Sequence, residues 1–305
     1  MRAFCLLLFL SVGSFAQMKD IIIMPSTYNY DDISGINILD AKVLSFKSSR
    51  GIAFTDISAL AYEKSRGLYA LSNKGYLFRL ELKIEDSKIQ RLNLEEALLL
   101  KTKKAKPLKK KRRDAEGMAF SEDGLIISFE RDPKVSLYDF KGKKIKNIPL
   151  PEVLYDIGHY QKKNKALEAV ALHPDFGIIT APEAPLKGSD ENIHTLYSLS
   201  QTWKFKASGN ITSIEVMPDN DLLILERDFH LLRGHSITLK KLNIMQCNTG
   251  VCPTKTLASL KSTQGWEMDN FEGLTHVKDN MYLMVSDDNG SFFQKCILVL
   301  FEVKN

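Results

Sequence analysis

Histidine, tryptophan and cysteine are scarce in this chain: six, two and four among 305 residues. The histidines, at positions 159, 173, 194, 230, 235 and 276, form no H-E-x-x-H and no other close ligand pair, which excludes the common zinc-hydrolase patterns. His173 and His276 fall near the ends of predicted strands, where packing or surface roles are expected. No G-x-S-x-G nucleophile elbow occurs, and "RGHSIT" does not match it. A phosphate-binding glycine loop is missing too. An EF-hand is excluded because "DDNGSFFQKC" lacks the bidentate acid at its end. Helical periodicity is almost absent, with "NLEEALLLKTKK" (93–104) the one segment expected to form a short helix.

Long apolar runs are absent as well. The first sixteen residues, "MRAFCLLLFLSVGSFA", have one basic residue, a short apolar run and small residues near the end. That pattern predicts a secretory signal peptide cut after Ala16, leaving residues 17–305 as a single domain. The run falls short of the roughly 20 residues a spanning helix needs, and no later segment reaches that length. The expectation is an exported protein, periplasmic or secreted, with no transmembrane segment. Export gives meaning to "CNTGVC": Cys247 and Cys252 are expected to close a small disulfide loop, the alternative being a metal site that lacks a second ligand pair nearby. Cys296, in "CILVLFEV", is expected to be a buried thiol.

Acidic residues are missing from one place in particular. "KTKKAKPLKKKRR" (101–113) holds nine Lys and Arg and no acid, against a whole-chain net charge of +5. Without that segment and Arg2, the remainder is net −5 (5 − 1 − 9). The segment is either a solvated loop or an attractor of anions: phosphate esters, an envelope surface or an extracellular polyanion. It has no interleaved aromatics, so nucleic acid is not an expected partner.

What the chain does have is a repeat. "DISALAYEKSRGLYALSN" (56–73), "DAEGMAFSEDGLIISFER" (114–131), "ALEAVALHPDFGIITAPE" (166–183), "NITSIEVMPDNDLLILER" (210–227) and "NFEGLTHVKDNMYLMVSDD" (270–288) share one shape. Each runs strand, turn, more uniformly apolar strand, then polar residues. The key position is Ser58, Glu116, Glu168, Thr212 and Glu272, at steps of 58, 52, 44 and 60 residues. Units of this length built from short strands predict an all-β propeller of four-stranded antiparallel sheets. Five blades are expected, or six if the N-terminal segment builds more. "INILDAKVLSF" (36–46) is expected to supply the outer strand of the last blade and so close the ring.

In a propeller the first strands line the central channel. Glu116, Glu168 and Glu272 would then converge. Glu130, Glu183, Glu226, Asp287 and Asp288 would follow from second-strand ends, with Arg131 and Arg227 beside them. The small residue after each acid would let neighbouring backbones crowd together. Such a cluster is either a structural Arg–Glu network or a metal or catalytic site. Two arginines cannot neutralise so many acids, which points to a missing cation.

"RRDAEGMAF", "NKALEAVAL", "LLILERDF" and "DNFEGLTHVKDNMYLMVSDDN" resemble the motifs of the esterase-like activity of phytase family, in order and across residues 30–305. The resemblance implies a propeller with repeated acids engaged in phosphoester or ester hydrolysis. It carries the acidic positions onto Glu116, Glu130, Glu168, Glu226, Glu272, Asp287 and Asp288. Its arginines fall on Arg131 and Arg227, and its asparagines on Asn270 and Asn289. Ser58 and Thr212 depart from the acidic pattern, so the ring is expected to be one-sided. The roles expected are catalytic carboxylates at Glu272, Glu116 and Glu168, with Glu272 or Glu116 the general base. Arg131, Arg227, Asn270 and Asn289 would bind a small anionic substrate such as a phosphate ester. Glu130, Glu226, Asp287 and Asp288 would hold a divalent cation, calcium or else magnesium. The rival expectation is a non-catalytic propeller serving as a binding platform in the cell envelope.

Overall fold

Outer strands alternate and inner strands do not, and that difference follows from what each strand touches. In "TWKFK", Trp203 and Phe205 are buried while Thr202, Lys204 and Lys206 are exposed. "GLIISF" is buried throughout because both of its faces are covered. The computed structural model describes residues 17–46, 51–247, 250–291 and 293–304. The expected signal peptide lies outside them.

The chain opens with β1 (Gln17–Asp20) and β2 (Ile36–Ser45), then builds five sheets around an axis. Blade one is β3 (Ile57–Glu63), β4 (Gly67–Ser72), β5 (Tyr76–Glu85) and β6 (Lys88–Leu99). Blade two is β7 (Ala115–Ser121), β8 (Gly124–Phe129), β9 (Lys134–Tyr138) and β10 (Lys144–Ile148). Blade three is β11 (Leu167–His173), β12 (Gly177–Pro182), β13 (Ile193–Tyr197) and β14 (Thr202–Lys206). Blade four has β15 (Asn210–Val216), β16 (Leu222–His230), β17 (Gly234–Leu242) and β19 (Thr254–Lys261). On the way to β19 the chain lends β18 (Val251–Cys252) to blade three, parallel to β14. The Cys247–Cys252 disulfide closes that excursion and packs into the cluster containing Trp203 and Phe205. Blade five is β20 (Asn270–Lys278), β21 (Met281–Asp287) and β22 (Cys296–Val303), completed by β2 and β1.

The protein is therefore a five-bladed β-propeller. As expected, the N-terminal strand closes the ring: Ile36 pairs with Val303 and Leu44 with Cys296. The helix expected over 93–104 does not form. Residues 93–99 instead belong to β6, where Tyr76 faces Leu99 and Phe78 faces Ala97, and 100–104 follow as a turn. Local leucine-rich propensity loses there to pairing with an apolar neighbour. Among the described residues only short 3-10 turns interrupt the strands.

Cores lie between blades rather than within one centre. Leu223, Leu225 and Ile237 of blade four meet Phe271, Tyr282 and Phe301 of blade five. Comparable clusters fill the other four interfaces, and Cys296 is a buried thiol in one of them. Each of the first strands β3, β7, β11, β15 and β20 contacts the next around the axis.

All five first strands break register at the same repeat position: at Ser58, at Glu116–Gly117, at Glu168, at Thr212 and at Glu272. These are β-bulges, which leave one residue out of the ladder and re-aim its side chain. Where the bulge carries a hydroxyl, it ties two blades together. Ser58 Oγ donates to the Ala115 carbonyl at 2.7 Å and Thr212 Oγ1 to the Phe271 carbonyl at 3.1 Å, each just before the next blade's bulged acid. Gly117 N–H donates to Ser128 Oγ (2.8 Å), which donates to the Glu168 carbonyl (2.8 Å). A Cβ on Gly117 would stand 2.5 Å from that carbonyl oxygen and 2.6 Å from Ser128 Oγ. Gly117→Ala is therefore expected to cost about 1–3 kcal/mol in urea unfolding, the usual range for overpacking. An unchanged midpoint would refute this account of why glycine follows the acid.

Candidate functional site

The bulges and the second-strand ends point carboxylates at one end of the channel. One oxygen each from Asp114, Glu116 and Glu130 lie within 4.8 Å of one another, and so do oxygens of Glu130, Glu168 and Glu183. Glu130 belongs to both groups. Its Oε1 accepts from Ala166 N–H at 3.3 Å, while the Asp114 carbonyl accepts from Glu130 N–H at 2.9 Å. Arg131 Nε lies 2.7 Å from Asp114 Oδ2 but its side chain is 61% exposed, so it sits on the rim. Arg227 is the inner cation, 3.3 Å from Glu272 Oε1 and 3.6 Å from Glu183 Oε1. Asn270 Nδ2 donates to Glu272 Oε1 (2.6 Å), and Asn210 Nδ2 and Lys165 Nζ donate to Glu183 Oε1 (3.0 and 3.3 Å).

Two carboxylates stand apart in this network. Among the described residues, no hydrogen bond or ion pair reaches the carboxylate of Glu116 or Glu168, although the residues are only 7% and 6% exposed. Burial, then repulsion from Glu168, Glu272, Glu130 and Asp114, pushes Glu116 well above the ordinary carboxylate range. Burial, then Glu183, Glu130 and Glu272, does the same to Glu168 against the pull of Arg227. Glu130 rises to about 8 through burial, Asp114 and Glu183. Asp287, buried and near Glu272, rises to about 8 although Asn289 N–H donates to its Oδ1 at 2.7 Å. Glu272 settles at about 7, lifted by burial and lowered by Arg227. Burial opposes the charge on Arg227, but Glu272, Glu183, Glu168 and Asp287 outweigh it and raise the guanidinium's pKa.

A cavity of about 850 Å³ opens above this cluster, lined by Lys165, Glu183, Asn210, Arg227, Asn270 and Asn289 among others. At the opposite end of the channel Ala61, Ala119 and Ala171 leave only about 100 Å³, beside Glu215. The larger cavity is thus at the carboxylate end, in keeping with the asymmetry of the repeat.

The structure brings Glu116, Glu130, Glu168, Glu272, Asp287 and Arg227 together, with Asn270 and Asn289 on the cavity wall. It places two other residues elsewhere. Glu226 is fully buried between blades three and four, where Lys240 Nζ lies at 2.7 Å and Ser208 N–H at 3.2 Å. Burial pushes neighbouring His194 down to about 4, leaving Lys240 as its charge partner. Asp288 Oδ1 accepts from Thr55 Oγ1 (2.6 Å) and Asp56 N–H (3.0 Å), joining blade five to blade one. Conversely, Asp114 is central to the cluster and was not expected there, while Glu183, expected at the channel, had no catalytic, binding or metal role assigned to it. Asp114 is hidden beside nine cationic residues, and Glu183 sits in "APEAP", where the usual polar pair is missing.

The basic segment is ordered onto the same face. Arg113 Nε donates to the Leu108 carbonyl at 2.7 Å and Arg112 Nε lies 3.7 Å from Asp132 Oδ2, just beyond Glu130 and Arg131.

A family model described as phytase-like, esterase-like activity of phytase, matches residues 52–290. The chain belongs to this family. The match takes in all five bulges and leaves β1 and β2 outside, a shorter span than the 30–305 suggested by the motifs. No curated protein matches the chain. Solved structures that resemble it include the Cps50 (Swd1) β-propeller domain of Myceliophteria thermophila, at 9% identity and TM-score 0.41, covering 88% of this chain and 92% of that one. The PQQ-bound aldose sugar dehydrogenase of Streptomyces coelicolor has 10% identity and TM-score 0.44, covering 88% and 98%. The extracellular domain of BT4673 from B. thetaiotaomicron has 13% identity and TM-score 0.40, covering 85% of this chain and 30% of that one. Likeness this distant carries no argument about function.

The phytase-like cluster predicts how stability depends on pH. Glu130, Glu272 and Asp287 hold protons in the native state to about 8, 7 and 8, whereas the unfolded chain releases them near 4.5 or 3.8. Because the native state then binds more protons, their favourable contribution is full below those lower values and is lost as pH rises through the native ones. The melting temperature of chelator-treated protein is expected to fall between about pH 5 and about pH 8, and calcium to restore it mainly at the upper end. A flat profile without a cation effect would contradict this.

Proposed function

We propose that this phytase-like propeller is a divalent-cation-dependent hydrolase of phosphoesters or related esters. The observation that carries the reading is the pair Glu116 and Glu168, buried inside a larger acidic cluster with no hydrogen-bond or ionic partner among the described residues. Among the described residues, the cations paired with Asp114, Glu116, Glu130, Glu168, Glu183, Glu272 and Asp287 are Arg131, Lys165 and Arg227. Buried carboxylates in such excess are costly unless a further positive charge joins them. The donor set suits a hard ion, since it is made wholly of oxygen and offers no His or Cys. Oxygens bound to one calcium lie no more than about 5 Å apart, and both carboxylate groups meet that spacing.

Glu130 with Glu168 and Glu183, or with Asp114 and Glu116, would hold the cation. Calcium is the better fit and magnesium the alternative. A bound cation would supply charge neutralisation and polarisation of a phosphoryl or carbonyl oxygen. The chain's own groups account for the rest. Arg227 offers two N–H donors to substrate oxygens, with Lys165, Asn210 and Asn270 on the same wall of the cavity. Arg131, on the rim, meets the anion on entry. Glu272, balanced near neutrality and oriented by Asn270 and Arg227, takes the proton of an attacking water. Protein export is part of the proposal, and the Cys247–Cys252 disulfide supports an oxidising compartment.

A second reading, a binding platform without turnover, is favoured by the Glu226–Lys240 and Asp288–Thr55 contacts, in which acids serve only to join blades. Purified protein assayed on phosphomonoester, phosphodiester and carboxyl ester reporters separates the two. Turnover is expected with calcium or magnesium and not with chelator, and Glu272→Gln should lower it by about 10²–10⁴ without lowering the unfolding midpoint. No turnover on any reporter by folded, cation-loaded protein would favour the platform. An unchanged rate in the variant would remove Glu272 from the role of base.

A further inference from the structure

The hairpin between β16 and β17 runs past its neighbours, with Phe229 paired to His235 and His230 to Gly234 across a turn of Leu231, Leu232 and Arg233. Turn tips normally carry Gly, Asn, Asp or Ser because those residues suit the backbone and the solvent. Here Leu231 and Leu232 are each 86% exposed, and nothing in the fold uses them. Phe229, at the base of the hairpin, is 57% exposed and stacks on His235.

Other exposed apolar residues border the same loop between blades four and five, residues 262–269. Gly234 abuts Ser262, and His235 N–H donates to Ser262 Oγ at 3.3 Å. Ile22 is 84% exposed, and its neighbour Ile23 accepts from Glu267 N–H at 3.0 Å. Phe293 is 91% exposed, close in sequence to Lys295, whose Nζ lies 2.6 Å from Glu267 Oε1. Phe229 and Phe293, from two separate segments, stand on the cavity wall, with Leu231 and Leu232 at the tip of the hairpin that carries Phe229.

This face carries exposed Asp228 and Glu267, the latter paired with Lys295, but its projecting tips carry cations. Arg233 sits at the hairpin tip beside the leucines, and Lys261 and Lys295 are exposed nearby. Across the mouth lies the basic segment, with Lys109, Lys110 and Arg112 exposed where it turns inward to Asp114. Projecting apolar tips flanked by Lys and Arg suit a layered partner, apolar below and anionic at the surface. A protein partner of ordinary affinity would instead need a contiguous patch on the order of 800 Å² per side, which scattered loop tips do not offer.

We infer that the open face docks on an anionic lipid bilayer, Leu231 and Leu232 entering the interface while Arg233, Lys109, Lys110 and Arg112 hold the headgroups. This binding surface is independent of whether the channel hydrolyses anything. Its test is flotation of the full chain with vesicles of phosphatidylcholine alone and of phosphatidylcholine mixed with phosphatidylglycerol. Wild type should float with the anionic vesicles only, and less at high salt. Leu231→Ser/Leu232→Ser and Lys109→Glu/Lys110→Glu, each shown by melting to be folded, should bind at least about tenfold more weakly. Failure of wild type to float, equal flotation with neutral vesicles, or unchanged binding by either variant would overturn the inference.

Discussion

Five first strands must pass within van der Waals contact of one another around a single axis, and the repeated β-bulge is the device that lets them. Each bulge takes one residue out of hydrogen-bonded register and turns its side chain toward the channel. What stands at the bulge therefore decides both how blades are joined and what fills the centre. In blades one and four it is a hydroxyl that bonds the next blade's backbone. In blades two, three and five it is a glutamate with no backbone duty, free to contribute charge. The fold and the site are two uses of one local irregularity.

The distribution of partners separates acids that hold the structure from acids that the structure holds. Glu226 and Asp288 have short contacts to a lysine, a hydroxyl or backbone N–H groups, and they bridge neighbouring blades. Among the described residues Glu116 and Glu168 have none, although they are only 7% and 6% exposed. Burial first, and then the like charges beside them, hold both groups above the ordinary carboxylate range. Arg227 compensates part of one side, between Glu183 and Glu272. The side built from Asp114, Glu116 and Glu130 has only a rim arginine.

The architecture was legible in the sequence because the repeat position Ser58–Glu116–Glu168–Thr212–Glu272 keeps its strand context in every unit. Ring closure through residues 36–46 was legible for a related reason: the last unit lacked an outer strand. Residues 93–104 misled because a leucine-rich run scores as helix locally, while its pairing partner β5 lies a turn away. Within the site, repeat position identified which residues approach the axis and could not say which way each one turns. Glu226 and Arg227 are adjacent, yet one is paired with Lys240 between blades and the other faces the acids. Such choices depend on residues such as Lys240 and Asn210, whose relation to the repeat appears only when blades are placed side by side.

The join between β2 and β22 also sets an order of assembly. Asn37 and Glu302, partners across it, are 265 positions apart, so the ring cannot close until nearly the whole chain is available. Contacts of such long range are late and slow to form. Until then blade five is not docked on blade one, and Glu272 is not yet among the acids of blades two and three. The Asp114–Glu116–Glu130 and Glu130–Glu168–Glu183 groups need only blades two and three, so what ring closure adds is the charge of Glu272 and Asp287. Closure thus brings Glu272 to Arg227 of blade four and to carboxylates that blades two and three already share.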